Sequence, residues 1–313
     1  MTLPYASGYH APVMVRECMD LLQPERGGTF LDGTLGGGGH AQALLERGPD
    51  AVLYGVDRDP DALAEASTRL AGFGDRFRPV KANFADALDA AGIGDGTLDG
   101  VLLDLGISSH QIDVDARGFT FRPGAPLDMR MGHGTADEPT AADLLNEMDE
   151  ADLADVFYRY GEERRSRKLA RIVVEMREGE PFATSDQLQR AVDRALGART
   201  EIADRARIFQ ALRIAVNGEI DALERALERF RDALAPGGVF AVMSYHSLED
   251  RLVKNAFRDW RLDCVCPPGL PVCRCRGRAL GTTLTRKPVS ASPGETAANP
   301  RARSARLRGW RAA

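Results

Sequence analysis

The sequence predicts an α/β protein of Rossmann-like type with an inserted all-helical subdomain. Three observations predict it. Apolar strand-like runs alternate with helix-like runs over residues 29–104, and a strand-like run returns at 239–244. Three of these runs end directly on an acid, at Asp32, Asp57 and Asp104. Residues 140–200 between them are helical by pattern and hold no strand candidate. The core is therefore expected over 1–111 and 207–313, with the inserted helical subdomain over 112–206.

The elements follow in order. Val13 to Leu22 has helical spacing and stops before Pro24. Thr29–Leu31 reads as the first strand, and a glycine-dense turn runs from Asp32 to His40. Ala41 to Arg47 is helix-like, and Ala51–Val56 is a second strand closing on Asp57. Asp59 caps a helix that reaches Leu70, with Pro60 at its first position, where the missing N–H costs nothing. Phe77–Lys81 is a third strand and Leu98–Leu103 a buried fourth. Residues 112–137, rich in Gly, Pro and Arg, read as an ordered loop. Thr140 and Asp143 have capping-box spacing, and Glu162–Arg177 and Ser185–Leu196 look like two further helices. Ile208, Leu212, Ala215, Ile220, Leu223, Leu227, Phe230 and Leu234 mark one apolar face, which predicts a single long helix. Ala235-Pro-Gly-Gly238 ends it, and Val239–Ser244 is a strand again.

The glycine turn carries the first chemical information. Strand, glycine turn, helix, strand, acid is the layout that holds an adenosine-type cofactor. Glycine lets backbone approach a ligand, and an acid ending the second strand can accept from ribose hydroxyls. A dinucleotide would also fit a glycine-rich turn, as in a NAD-dependent oxidoreductase. Asp32 at the head of the turn would repel its pyrophosphate, and no clean Gly-x-Gly-x-x-Gly is present. S-adenosylmethionine, cationic at sulfonium and ammonium and free of phosphate, suits an acid there. A glycine loop without ligand is the plain alternative.

Two further runs follow strands. Asp104-Leu-Gly-Ile-Ser-Ser-His-Gln111 lies at the carboxyl end of the fourth, the edge that lines the ligand crevice in open α/β sheets. Met243-Ser-Tyr-His-Ser-Leu-Glu-Asp-Arg251 gathers hydroxyls, an imidazole, acids and a guanidinium after the last strand. His246 can accept a proton or donate to a substrate; a strand-end histidine tied to a neighbouring carboxylate would look the same.

Eight runs together resemble one family. They are Asp32-Gly-Thr-Leu-Gly-Gly-Gly-Gly-His40, Asp104-Leu-Gly-Ile-Ser-Ser109, Arg117-Gly-Phe-Thr-Phe121, Pro126-Leu-Asp-Met-Arg-Met131, Tyr160-Gly-Glu-Glu163, Phe209-Gln-Ala-Leu-Arg-Ile214, His246-Ser-Leu-Glu-Asp-Arg251 and Asn299-Pro-Arg-Ala-Arg-Ser304. In this order they resemble the ribosomal RNA small subunit methyltransferase H (RsmH, MraW) family, from His10 to about Arg308. The resemblance implies a class I S-adenosylmethionine-dependent methyltransferase that acts on N4 of a cytidine in the decoding region of 16S rRNA. It implies cofactor contacts at Gly38, Gly39, His40, Asp57, Phe84, Asp104 and Gln111. Phe84 would face the adenine, and Asp104 and Gln111 the polar groups near the sulfonium. An exocyclic cytosine amine is a weak nucleophile, so it must be held in line and hydrogen-bonded as charge develops. Asp104 with Ser108 or Ser109 is expected to accept from the amine, and His246 to orient the base. The sequence departs from the family at Tyr245, where Phe is usual, and at His110, where Pro is common. An RNA-docking protein with a vestigial cofactor pocket is the alternative class; the intact acids and glycines speak against it.

Composition sets the outer bounds. With 313 residues, 43% hydrophobic and 28% charged, the chain has globular composition. No apolar run is long enough to span a membrane, and residues 1–10 lack a basic region followed by an apolar stretch. A cytoplasmic protein is expected, and a homodimer is one assembly the chain allows. The net charge of −5 hides an asymmetry: residues 251–313 hold 14 Lys+Arg against 3 Asp+Glu, a net of +11, and residues 1–250 hold 27 against 43, a net of −16. A basic tail on an acidic body points to a polyanionic partner; the family resemblance implies that it is 16S rRNA in the small subunit. Arg301, Arg303, Arg306, Arg308 and Arg311 are the expected docking groups, with Arg164, Arg165, Arg167 and Lys168 of the insertion as a second surface; pairing with the acidic body is the alternative. Four of the five cysteines fall in Cys264-x-Cys266-x6-Cys273-x-Cys275. That allows a tetrahedral zinc site turned at Pro267-Pro-Gly269, or a reduced loop without metal. Cys18 lies in an amphipathic helix and is expected in the core.

Overall fold

The structure is a computed structural model, and it describes residues 5–6, 11–132, 138–197, 200–267, 272 and 274–313. The chain divides into two compact units, residues 1–106 with 221–313, and residues 107–220.

The first unit opens with α1 (Val15–Leu22), β1 (Gly28–Asp32), α2 (Gly39–Arg47) and β2 (Ala51–Asp57). It continues with α3 (Pro60–Leu70), β3 (Phe77–Lys81), α4 (Ala87–Ala91) and β4 (Leu98–Asp104). Asp59 caps α3 by accepting from the Asp61 amide, with Pro60 inside the first turn.

The second unit is helical. It holds α5 (Ser109–Asp113), α6 (Ala141–Glu147), α7 (Glu150–Arg159), α8 (Ser166–Gly179), α9 (Ser185–Leu196) and α10 (Ile202–Asn217). Thr140 and Asp143 close the capping box the spacing predicts, the Thr140 hydroxyl accepting from the Asp143 amide and the Asp143 carboxylate from the Thr140 amide. Leu145, Phe157, Leu169, Val173, Leu188, Ile208 and Leu212 form its own core.

The single long helix expected over 208–234 is two. α10 ends at Gly218, which adopts φ 60° and ψ 32°, and α11 (Glu219–Ala233) begins directly after it. The left-handed conformation is one that glycine adopts without penalty. The apolar period runs on through the break, so periodicity alone hides it.

The chain then adds β5 (Leu234–Ser244), α12 (Ser247–Trp260), β6 (Gly281–Thr283), α13 (Pro293–Ala298) and β7 (Arg306–Ala312). β5 starts earlier than expected and carries Pro236-Gly-Gly238 past an irregularity in its pairing with β4 between Leu98 and Gly100.

One sheet of seven strands results, in the order β3-β2-β1-β4-β5-β7-β6. β1 to β5 are parallel, and β7 runs antiparallel to both β5 and β6. Side chains alternate between two cores, as the period of two in a strand requires. Phe30, Leu53, Leu102, Ala241 and Met243 enter one with α1 and α2. Leu31, Val56, Val101, Leu103, Phe240 and Val242 enter the other with α11 and α12. The strand order reverses between β1 and β4, and the crevice at such a switch point opens at the carboxyl ends of the strands. Cys18 is fully buried, as its helix pattern requires.

Candidate functional site

The carboxyl edge of the first unit's sheet collects the acids. β1 ends on Asp32, β2 on Asp57 and β4 on Asp104, and all three strands run parallel. Asp32 is buried; the Asp104 side chain is 11% exposed. Thr34 joins two of these ends. Its hydroxyl accepts from the Asp104 amide at 2.6 Å and lies 3.4 Å from Asp32 Oδ1. Asp57 Oδ2 accepts from the Gly36 amide and Oδ1 from the Asp59 amide, each at 2.9 Å, so the second acid organises the glycine turn.

The glycines of the turn have packing reasons of their own. Gly38 is the left-handed N-cap of α2, with φ 76°. A Cβ on Gly39 would stand 2.7 Å from the Pro12 ring. His40 is buried, and its Nε2 donates to the Val13 carbonyl at 2.8 Å. A carbonyl only accepts, so Nε2 carries the hydrogen, and Nδ1 faces Asp104 Oδ2 at 3.6 Å. His40 is thus anchored to the chain before α1, with Nδ1 turned toward the end of β4. Phe84 is half-buried, just past β3, where Asn83 caps a short turn by accepting from the Ala85 amide.

The run after β5 meets Asp104 through Tyr245. The register Asp104↔Met243 brings Tyr245 alongside, and its hydroxyl donates to Asp104 Oδ1 at 2.8 Å. Sequence reading sees Tyr245 only as a departure from a family pattern. The strand register that makes it a partner of Asp104 is not written in local sequence. His246 caps α12. Its Nδ1 accepts from the Glu249 amide at 3.5 Å, while the buried Glu249 carboxylate accepts from the Tyr245 and His246 amides. With Nδ1 accepting, Nε2 carries the hydrogen; it lies 3.1 Å from Glu249 Oε1, off the line of a hydrogen bond.

Burial sets the electrostatics. It pushes the Asp32 carboxyl up to about 6, against pulls from His40 and the Thr34 amide. It pushes Asp57 to about 6, against the amides of Asp59 and Gly36. It pushes Asp104 to about 7, against the Tyr245 hydroxyl and with the help of Glu249. Among the described residues no lysine or arginine pairs with any of the three. Three partly desolvated carboxylates without a cation form a donor set for a ligand with positive centres and oppose one bearing phosphate. S-adenosylmethionine fits that set; a dinucleotide pyrophosphate does not.

Ser108, Ser109 and Gln111 open the second unit. Ser108 Oγ accepts from the Gln111 amide at 3.2 Å and Gln111 Oε1 from the Ser108 amide at 3.0 Å, a capping box for α5. Gln111 is buried and uses its carbonyl end locally. Of the second basic surface, Arg165 and Lys168 donate to the carbonyls of Leu196 and Ala195 at the end of α9 and so cap that helix.

Part of the basic tail lies within the sheet. Arg306, Arg308 and Arg311 belong to β7, inside the sheet. Arg308 is buried and forms a bidentate pair with Asp250 at 2.7 and 2.9 Å, so it is committed within the unit. The thiols of Cys264, Cys266 and Cys275 converge, all sulfurs within 4.8 Å of one another. Cys264 and Cys275 are 3.8 Å apart at sulfur, too far for a disulfide. The amides of Val265 and Arg274 point at Cys275 and Cys266 sulfurs, at 3.3 and 3.4 Å. Cys273, Pro268 and Gly269 lie outside the described residues.

Strand order, reversed β7 and acids ending β1, β2 and β4 define the architecture of the class I S-adenosylmethionine-dependent methyltransferases. Within that class the chain belongs to the MraW methylase family, whose model matches residues 7–312. It is 56% identical over 308 residues to the ribosomal RNA small subunit methyltransferase H of Gemmatimonas aurantiaca, covering 97% of this chain and 96% of the relative. The protein of the same name from Geobacter sulfurreducens is 49% identical over 304 residues, covering 96% and 97%. An rRNA methylase structure from Streptococcus thermophilus covers 95% of both chains at 12% identity and a TM-score of 0.43, too slight a likeness to bear on function.

Proposed function

We propose that this protein methylates N4 of a cytidine in the decoding region of 16S rRNA, using S-adenosylmethionine, on small ribosomal subunits in the cytoplasm. Family membership supports the rRNA substrate. One observation carries the chemistry: Asp104, with its carboxyl near neutrality, has Oδ1 held by Tyr245, while Oδ2 makes no hydrogen bond among the described residues.

When bound, the cofactor supplies an electrophilic methyl group. In this reading Asp57 would accept from its ribose, Phe84 would flank the adenine, and Gly38, Gly39, His40 and Gln111 would supply the other contacts that the family resemblance implies. Asp104 accepts a hydrogen bond from the cytosine amine through Oδ2 and takes its proton as charge develops. A carboxyl titrating near 7 serves this at neutral pH. Ser108 and Ser109 are the supporting acceptors, and the Nε2–H of His246 orients the base. The target base must leave any stack to arrive. The helical second unit is the proposed RNA-recognition element.

The converging cysteines Cys264, Cys266 and Cys275, with Cys273 as the fourth donor that the sequence spacing offers, are proposed as a structural zinc site. A tetrahedral site with Zn–S near 2.3 Å sets its sulfurs about 3.8 Å apart, the Cys264–Cys275 spacing found here. Metal analysis of protein purified without chelator is expected to give one zinc per chain, lost in Cys264→Ser with Cys275→Ser. Sedimentation separates a homodimer from a monomer.

The deciding experiment is tritium transfer from labelled S-adenosylmethionine to small subunits lacking the modification, followed by nucleoside analysis. Label in N4-methylcytidine is the expected result. Cofactor binding without transfer would point to a different substrate or a binding role, and absence of cofactor binding would overturn the reading of the glycine turn.

A further inference from the structure

A groove of 680 Å³ lies beside α12 and β6 in the first unit. Lys254 and Arg258 line it from α12, Arg261 from the residue that caps the end of that helix, Arg286 from the segment after β6, and Arg308 from β7. Lys254, Arg258 and Arg261 are spaced i, i+4, i+7, and the cap keeps helical backbone, so the three share one face. A rise of 1.5 Å per residue sets the outer two about 10 Å apart along the helix. Threonines of β6 and its flank complete the wall, and among the described residues no acid lines it.

These cations are not equivalent. Arg308 is committed to Asp250, and Arg258 touches Asp259 at 3.2 Å. Lys254, Arg261 and Arg286 are exposed and form no ion pair among the described residues. Like charges gathered at one concavity raise each other's energy, and that cost is offset when an anion enters. The arrangement is an extended line rather than a single pocket for one phosphate. Phe257, the aromatic ring at the groove, is 1% exposed and offers no face on which a base could stack.

We propose that this groove binds the phosphodiester backbone of RNA, apart from the acid-lined edge where the chemistry is placed. The inference rests on the rRNA reading and adds where the strand is held. Lysine meets phosphate as a point charge and arginine as a two-pronged donor. A line of cations without an exposed ring suits the repeating phosphates, a contact that positions RNA without selecting sequence.

The test uses the full chain and a decoding-region RNA, with affinity measured between 50 and 200 mM salt. The variant replaces Lys254, Arg261 and Arg286 each by Gln. Loss of three phosphate contacts is expected to lower the salt slope by about two and the affinity by roughly 10- to 100-fold. S-adenosylmethionine affinity, measured by calorimetry, is expected to stay at the wild-type value and reports that the fold is intact. Thr282→Glu, which adds a negative charge while deleting no cation, is expected to weaken RNA binding in the same direction. If the wild type methylates rRNA and both variants keep wild-type affinity and slope, the groove proposal fails and the methyltransferase reading stands. If the wild type neither binds nor methylates rRNA, that reading fails too. If inorganic phosphate protects the groove lysine from acylation while the triple variant keeps its RNA affinity, the groove belongs to a small anion and the RNA proposal is overturned.

Discussion

At the residue scale, the Tyr245–Asp104 hydrogen bond favours the ionised carboxylate and opposes the burial that raises its pKa. Tyr245→Phe removes the donor and leaves the ring's packing. Asp104 should then hold its proton to higher pH, because the charged form has lost its partner. A hydrogen bond to a charged group is worth about 1.5 kcal/mol or more, roughly one pKa unit. The acid limb of the single-turnover pH profile, near 7 in the wild type, is expected to move up by about that amount in the variant; an unmoved limb would show that the bond does not tune Asp104. The three acids themselves are legible in sequence because each directly follows an apolar strand. Their surroundings are not: Tyr245 reaches Asp104 through the pairing of β4 with β5, and His40 is held facing it by a bond to the Val13 carbonyl. Such contacts depend on register and on long-range closure, which no local spacing records.

At the scale of elements, Gly218 separates α10 from α11 with a left-handed backbone and open space around its missing Cβ. Gly218→Ala therefore meets no clash and pays only for conformation, about 1 kcal/mol. Urea denaturation should show a lower midpoint with an unchanged slope. An equal or higher midpoint would mean that the two helices can merge. The apolar stripe over 208–234 reads as one helix because burial on one face continues across the break, and a single glycine inside a helical pattern is ambiguous. β7 was hidden for a different reason. Its arginines suggest a solvated tail, yet Leu307 and Trp310 are buried and Arg308 is neutralised by Asp250. Charge composition masked a strand.

For the whole molecule, the acid-lined edge links stability to pH. Asp32, Asp57 and Asp104 hold their protons more tightly in the folded chain than in the unfolded one, where a carboxyl titrates near 3.8. Their contribution to stability is therefore full below about pH 4 and is lost as pH rises through about 6 to 7. A cationic ligand prefers the ionised acids, so its affinity rises over that same window. S-adenosylmethionine is expected to raise the melting temperature more at pH 8 than at pH 6, and S-adenosylhomocysteine, without the sulfonium charge, to show a weaker dependence. Equal pH dependence for the two would mean that the acids do not sense the sulfonium. The charge asymmetry of the chain could be counted from the sequence, but its location could not: part of the positive end is spent inside the sheet and part is gathered along α12.

The place of β7 also bears on how the molecule is made. The segment that flanks β5 lies 62 residues further along the chain, as the Ser244–Arg306 contact shows. While a ribosome is still delivering that segment, β5 presents an open edge of unpaired amides and carbonyls, a template for unwanted strand pairing. Completion of the sheet must wait for a long loop to close. Synthesis halted before residue 306 would leave a nascent chain with its acid-bearing strands present and its sheet unfinished, a natural client for chaperones.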